Sequence, residues 1–266
     1  MSEIKPVTIR SLRQMKKAGE KIVMLTAYDA SFARVADEAG IDVLLVGDSL
    51  GMVIQGHTDT LAVTLDEVIY HCRAVRRGAN RALVIADLPF LSYTTPEQAL
   101  ASAARLMKEG GAQMIKLEGG ASQVETVAAL SRHGVPVCAH LGLQPQSVHK
   151  LGGYLVQGRE SEQAETILRD AQALESAGAD LLVVECIPAS LAAQLRKAVQ
   201  IPVIGIGAGA DTDGQVLVLY DVLGLTVRPP RFARCFLTEG RDIPAALAAY
   251  ARSVRDGEFP SQAEAF

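Results

Sequence analysis

Five ionisable residues, Asp48, Asp87, Glu118, His140 and Glu185, each stand where an apolar run of this 266-residue sequence comes to its end. In "VLLVGDSLG" a run that reads as a buried strand gives way to Asp48. A single strand-end carboxylate commonly does no more than cap the turn or helix that follows. Several in consecutive units instead suggest side chains converging on one pocket. Lys116 lies inside "MIKLE", two residues before Glu118, so both project to the same face of a strand. A buried ion pair is the structural explanation. Desolvation cancels much of such a pair's attraction, however, which makes function the better account.

Asp48, Asp87 and Glu118 would repel one another without a cation. Oxygen-only ligands select a hard ion, and magnesium takes one or two carboxylates together with substrate and waters. The expectation is a magnesium site. His140 does not imply zinc, because no second histidine has helical ligand spacing to it, and it fits a satisfied core histidine as well as a catalytic one.

The elements that must position these residues follow from hydrophobic periodicity. Eight runs read as buried strands: Ile22 to Asp29, Val43 to Ser49, Ala82 to Pro89, Met114 to Gly120, Val135 to Leu143, Leu181 to Cys186, Ile201 to Gly209 and Gln215 to Gly224. Between most of them lie helical stretches that end at glycine, such as "TLDEVIYHCRAVRRGA" and "TPEQALASAARLMKEGGA", the latter with a helix start at Thr94 or Thr95. Strands alternating with helices imply a parallel sheet covered on both faces. Eight units in about 250 residues is the size of a closed (β/α)8 barrel in which strand ends share one mouth, with an open doubly wound sheet as the alternative. The segment from Ala210 to Gly214 is too short for a helix, so the seventh unit is irregular.

The expected organisation is a single barrel domain over residues 1–266, with a leading segment, an outer helix within "RDIPAALAAYARSVRDGEF" and a mobile tail "PSQAEAF". The glycine-rich "GIGAGADTDG" could cradle a phosphate at a late barrel loop, but it lacks G-x-G-x-x-G spacing and reads better as a tight strand-end turn.

Composition narrows the function classes. With 49% hydrophobic and 21% charged residues and a formal net charge of -4, nothing attracts nucleic acid. The pair Arg76 and Arg77 reads as a solvated helix face. "MSEIKPVTIRSLRQMKKAGEK" has no apolar centre and fails as a secretory signal, and no run approaches the ~20 apolar residues of a membrane span. A cytoplasmic location is expected. The four cysteines, Cys72, Cys138, Cys186 and Cys235, lack zinc-site spacing and read as reduced thiols, with Cys138 and Cys186 packed in apolar runs.

From "TAYDASFARVADEAGIDVLLVGDSLGM" through "ADLPFLSYTTPEQAL", "MIKLEGG", "VPVCAHLGLQPQSV", "GGYLVQGR", "LLVVECIP" and "IPVIGIGAGADTDGQVLV", the sequence resembles the ketopantoate hydroxymethyltransferases. The likeness covers about nine-tenths of the chain, and "VGDSLGM" with "KLEGG" is its most specific part. It departs at "LTVRPPRFARCF", where a lysine is expected near Arg231 or Arg234. The resemblance implies a (β/α)8 barrel, commonly a homodecamer, that moves a one-carbon unit from 5,10-methylenetetrahydrofolate to 3-methyl-2-oxobutanoate and requires Mg2+. It implies that Asp48 and Asp87 bind the ion and that Glu118 joins its shell directly or through water. It assigns the substrate's carboxylate and keto oxygen to Ser49 and Lys116, proton abstraction to Glu185, and a pocket-lining place to His140.

Those roles agree with the chemistry of a 2-oxo acid, whose C3 becomes a nucleophile on losing a proton when positive charge stabilises the enolate oxygen. Three other readings stay open. One is another magnesium-dependent 2-oxo-acid enolate enzyme of this barrel type, a lyase; such relatives often carry a cysteine in a mouth loop, and "GDSLGMVIQGHTDT" has none. The second is a barrel that binds a ligand without catalysis. The third, a scaffold role through oligomerisation, is compatible with catalysis.

Overall fold

Alternation of inward and outward side chains turns the eight apolar runs into a barrel. The computed structural model describes residues 5–266, and the first four residues of the expected leading segment lie outside them. In chain order the elements begin α1 (Ile9–Ala18), β1 (Ile22–Thr26), α2 (Ala30–Glu38), β2 (Val43–Val46), α3 (Leu50–Val53), α4 (Leu65–Gly78), β3 (Leu83–Asp87), α5 (Pro96–Arg105), β4 (Met114–Glu118) and α6 (Val124–Arg132). They continue with β5 (Val137–Gly142), α7 (Val148–Leu151), α8 (Ser161–Ser176), β6 (Leu181–Glu185), α9 (Ala189–Ala198), β7 (Val203–Ile206), β8 (Gly214–Leu217), α10 (Leu219–Val222) and α11 (Ile243–Arg255). Every strand pairs in parallel with its neighbour, and β8 closes on β1. The open-sheet alternative is thereby excluded.

Because successive strand residues face opposite ways, each strand supplies two cores. Met24, Val43, Leu83, Ile85, Met114, Cys138, Leu181, Val183 and Ile204 fill the barrel interior. Their neighbours Val23, Leu44, Val84, Ile115, Ala139 and Leu182 pack outward against helix residues such as Ala33, Val68, Ala99, Val127, Leu174 and Leu195. The leading segment closes one end of the interior. Leu12 of α1, 1% exposed, joins the interior cluster, and Lys16 donates to the carbonyls of Arg196, Val199 and Ile201 while pairing with Asp213 at 3.0 Å. Helix starts follow local chemistry: Thr95 caps α5 by accepting from the Gln98 N–H at 3.2 Å, and Thr64 and Glu67 form a reciprocal capping box on α4.

Two features depart from the regular scheme. No helix links β7 to β8; the chain returns along Gly207 to Asp213, and Thr212 lies so close to Gly205 that a Cβ there would come 3.0 Å from its Oγ1. The glycine-rich stretch is thus a turn and a return, as the spacing favoured. The terminal segment corrects the expectation of a mobile tail. Residues Gln262–Glu264 form a short 3-10 turn, Arg234 bonds the Glu264 carboxylate at 2.6 and 2.7 Å, and the Phe266 carbonyl accepts from the Ala189 N–H at 2.9 Å. Two aromatic rings explain the order, since Phe266 meets Phe232 edge to face with centroids 6.5 Å apart.

Candidate active site

Strand parity decides which ionisable residues meet. Asp87 follows Leu83 and Ile85 on the inner face of β3, Lys116 and Glu118 follow Met114 on β4, His140 follows Cys138 on β5, and Glu185 follows Leu181 and Val183 on β6. Register then sets the pairs: Asp87 is the β-partner of Lys116, and Glu118 is the partner of His140. Asp48 and Ser49 come just past β2, at the start of the short α3. All seven line one cavity of about 540 Å3 at the C-terminal ends of the strands.

Lys116 Nζ donates to Asp87 Oδ1 at 2.7 Å, so the lysine's ion-pair partner is Asp87 and not the Glu118 beside it in sequence. The other Asp87 oxygen, Oδ2, accepts from the Asp48 backbone N–H at 3.1 Å. Burial pulls the Lys116 ammonium pKa down, but Asp87, Glu118 and Asp48 outweigh it and hold the group well above the ordinary lysine value. Asp48 shows the opposite balance. Burial, then repulsion from Asp87 and Glu118, pushes its carboxyl well above the usual range.

His140 is 2% exposed and lies between two carboxylates, Nδ1 3.4 Å from Glu118 Oε1 and Nε2 3.2 Å from Glu185 Oε2. Both nitrogens are within ion-pair reach, yet neither makes a hydrogen bond of good geometry. Burial and Lys116 pull the imidazolium pKa down, but Glu118 and Glu185 prevail and raise it to about 9. His140 thus lies in the cavity wall with an acid on either side. Burial would raise Glu118, but His140, Lys116 and the Gln146 N–H hold it below the ordinary value. Glu185, with its side chain 15% exposed, is the acid of this group most open to the cavity. At Gly142, where φ is 88°, a Cβ would collide with the Glu185 carbonyl, so glycine is required for β5 and β6 to stay paired beside His140 and Glu185.

Two neighbours gave no sequence signal. Gln146 is 5% exposed and bonds both Asp48 and Glu118. Tyr28 shares a 2.9 Å hydrogen bond between its hydroxyl and Ser49 Oγ, and burial keeps its phenol protonated. Gln146 follows one strand run and Tyr28 lies near the end of another, but an amide or a phenol in such a place has no periodicity that marks it. Cys186 also lines the cavity, in a left-handed conformation with φ 47°, although its place in an apolar run spoke only of packing. Cys138 is in the interior core as expected, and all four cysteines are free thiols. The divergent stretch contributes Arg228, Pro230, Arg231 and Phe232 to the cavity wall; Arg231 donates to the Ala263 carbonyl at 2.9 Å, so this loop and the tail hold each other.

Asp48, Asp87 and Glu118 supply the oxygen donors that could hold a cation, although among the described residues no three His, Cys, Asp or Glu side chains converge as a ready-made metal cage. The arrangement can hold an anionic, oxygen-rich molecule beside a fixed ammonium, with a carboxylate open to take a proton. Among the described residues no helix is long and apolar enough to cross a membrane.

The ketopantoate hydroxymethyltransferase family profile matches residues 6–262 of this sequence. A 3-methyl-2-oxobutanoate hydroxymethyltransferase of Halorhodospira halophila (strain DSM 244 / SL1) is 58% identical over 260 residues, covering 98% of this chain and 94% of that protein. Another, of Alkalilimnicola ehrlichii (strain ATCC BAA-1101 / DSM 17681 / MLHE-1), is 59% identical over 263 residues, covering 98% and 95%. Among solved structures, phosphonopyruvate hydrolase in complex with oxalate and Mg++ superposes with a TM-score of 0.61 at 15% identity, over 96% of this chain and 92% of that one, a likeness of fold alone.

Proposed function

The chain belongs to the ketopantoate hydroxymethyltransferase family and is an enzyme of that type; from this premise we propose how its barrel mouth carries the reaction. The substrate is 3-methyl-2-oxobutanoate, and the product is ketopantoate, a step toward pantothenate. The observation that supports the residue roles is the common inward facing of Asp87, Lys116, Glu118, His140 and Glu185 from four successive strands onto one cavity.

The donor set suits a magnesium ion. Asp48, Asp87, Glu118 and Glu185 outnumber the Lys116 ammonium and the His140 imidazolium, and Asp48 bears the resulting repulsion, a surplus of negative charge that a divalent cation would neutralise. Asp48 and Asp87 would hold the ion, with Glu118 joining its shell directly or through water. When bound, magnesium supplies positive charge that polarises the substrate ketone and stabilises the oxyanion formed on proton loss.

The chain's own residues do the remaining work. Ser49, fixed by Tyr28, and Lys116, fixed by Asp87, bind the substrate's carboxylate and keto oxygen. The Lys116 ammonium stays charged beside the developing oxyanion, where a preorganised charge in a buried site is worth most. Glu185 takes the proton from C3, and the C–H electron pair moves into the enolate. C3 forms its new bond to the methylene carbon of 5,10-methylenetetrahydrofolate. Both of that carbon's bonds to folate nitrogens break, water supplies the oxygen of the new CH2OH, and the two nitrogens take up the proton from C3 and the second proton of water to leave as tetrahydrofolate. His140, charged between Glu118 and Glu185, orients the base. The cavity's remaining wall, with Tyr154, Val156, Pro230 and Phe232, is apolar enough to receive the carrier's ring system.

The test is solvent exchange. In deuterated water, 3-methyl-2-oxobutanoate should exchange its C3 hydrogen only with both magnesium and the protein present, and absence of exchange would defeat the enolate route. The assembly expected by family resemblance is a decamer in the cytoplasm. Asp48→Ala and Asp87→Ala should abolish turnover while the gel-filtration mass stays that of the wild type; loss of both together would make these residues structural.

A further inference from the structure

We infer that Gln146 is a positioning residue that clasps Asp48 and Glu118 and dictates which oxygen of Asp48 is offered to the divalent ion. The inference rests on the magnesium reading above. Gln146 lies in the turn after β5, buried in a 3-10 turn that Pro145 opens. Its backbone N–H donates to Glu118 Oε2 at 3.0 Å. Its side-chain nitrogen donates one proton to Asp48 Oδ2 at 2.8 Å and the other to the Leu88 carbonyl at 2.9 Å. The remaining atom, Oε1, accepts from the Tyr93 hydroxyl at 2.5 Å.

Every hydrogen-bonding atom of the amide is therefore committed, and only one orientation satisfies them all. A flipped amide would set its oxygen against a carboxylate and a carbonyl, two acceptors facing a third. Tyr93 locks that choice. Burial keeps its phenol protonated; Gln146 Oε1 is much the nearer acceptor for that proton, the Glu118 carbonyl lying 3.4 Å away, and the phenol oxygen accepts from the Glu118 backbone N–H at 3.4 Å. Both side chains are almost wholly buried, which makes each missing partner costly.

The consequence falls on Asp48. Its Oδ2 is occupied by Gln146, while among the described residues no hydrogen bond reaches Oδ1. Asp48 is thus held as a donor of one oxygen to the cavity. Asp87 differs, since both its oxygens are already hydrogen-bonded, one by Lys116 and one by the Asp48 N–H. The same turn holds Glu118 through the Gln146 N–H, so one residue from the β5 loop is bonded both to the acid that follows β2 and to the acid that ends β4.

Partners that orient a ligand carboxylate usually cost about 10–100-fold in metal affinity when removed. Gln146→Met keeps length and volume but removes both the donor and the acceptor. Tyr93→Phe keeps the ring and removes only the lock. With magnesium alone as the calorimetric probe and manganese(II) followed by electron paramagnetic resonance, Gln146→Met should bind about 10–100-fold more weakly than wild type and show a broadened bound-ion signal. Tyr93→Phe should move both readouts the same way by less. A Gln146→Met protein with unchanged circular dichroism and wild-type affinity would overturn the inference. Should that variant not fold, Tyr93→Phe with unchanged affinity and signal overturns it instead. Failure of the wild-type chain itself to bind magnesium would defeat the magnesium reading, and this inference with it.

Discussion

The Nε2 of His140 stands 3.2 Å from Oε2 of Glu185, so the carboxylate most open to the cavity is backed by an imidazole whose other nitrogen faces Glu118. His140, held charged between the two acids, has no free lone pair with which to take up a further proton.

That placement predicts what Glu185→Gln does. The amide keeps size and position but cannot accept the C3 proton, so turnover and C3 exchange should both fall about 10²–10⁴-fold. Magnesium binding, measured by calorimetry, should persist. Exchange at the wild-type rate would show that another group is the base.

The His140 balance predicts a pH dependence of stability. Its folded pKa of about 9 lies above the ordinary histidine value of 6.5, so its stabilisation is complete below 6.5 and is lost as pH rises through about 9. Urea midpoints of wild type and His140→Gln, taken at several pH values across that window, should converge toward the alkaline end. A gap that stays constant would contradict the charged state of His140.

Asp48 predicts a conflict between stability and metal binding. Its carboxyl is held above the usual range by burial, Asp87 and Glu118, so stability is lost as pH rises through its folded value and the charge must be borne. In chelator at neutral pH, Asp48→Asn should melt higher than wild type. Magnesium at 100 times its dissociation constant should then stabilise wild type by about 2.7 kcal/mol and the variant far less. Equal responses to magnesium would remove Asp48 from the ion site.

The interior plug is separable from the chemistry. Leu12 of α1 is 1% exposed in the barrel interior, at the end away from the mouth. Leu12→Ala should cost about 2–5 kcal/mol in chemical denaturation while kcat of the folded enzyme stays at the wild-type value. A large drop in kcat at unchanged stability would mean that α1 communicates with the mouth.

Much of this architecture was legible in the letters. Seven of the eight apolar runs contain a strand, because a buried parallel strand requires continuous Val, Ile and Leu; the eighth, Gln215 to Gly224, holds all but the first residue of β8 and then turns into α10, while Thr95 before Pro96 marks the start of α5. Strand ends came out shorter than the apolar runs, as at "IVMLTAYD", where pairing stops at Thr26 and Tyr28 turns aside to meet Ser49. The tail departs from its expected mobility for a related reason. "PSQAEAF" has no periodicity, and its order comes from partners more than twenty residues away, Arg231, Phe232 and Arg234.

Period-two alternation and strand-end position, both one-dimensional properties, determined that Lys116 and Glu118 share a face and that Asp48, Asp87, His140 and Glu185 crown their strands. Which charge meets which was decided only by closure of the barrel. Register across β3 and β4 gave Lys116 to Asp87, and register across β4 and β5 gave Glu118 to His140. Gln146 joined Asp48 because the β5 loop folds back over the mouth, a contact between residues 98 apart. Short-range sterics write alternation into any strand, whereas hydrogen-bond partnerships between strands exist only once the sheet has found its register.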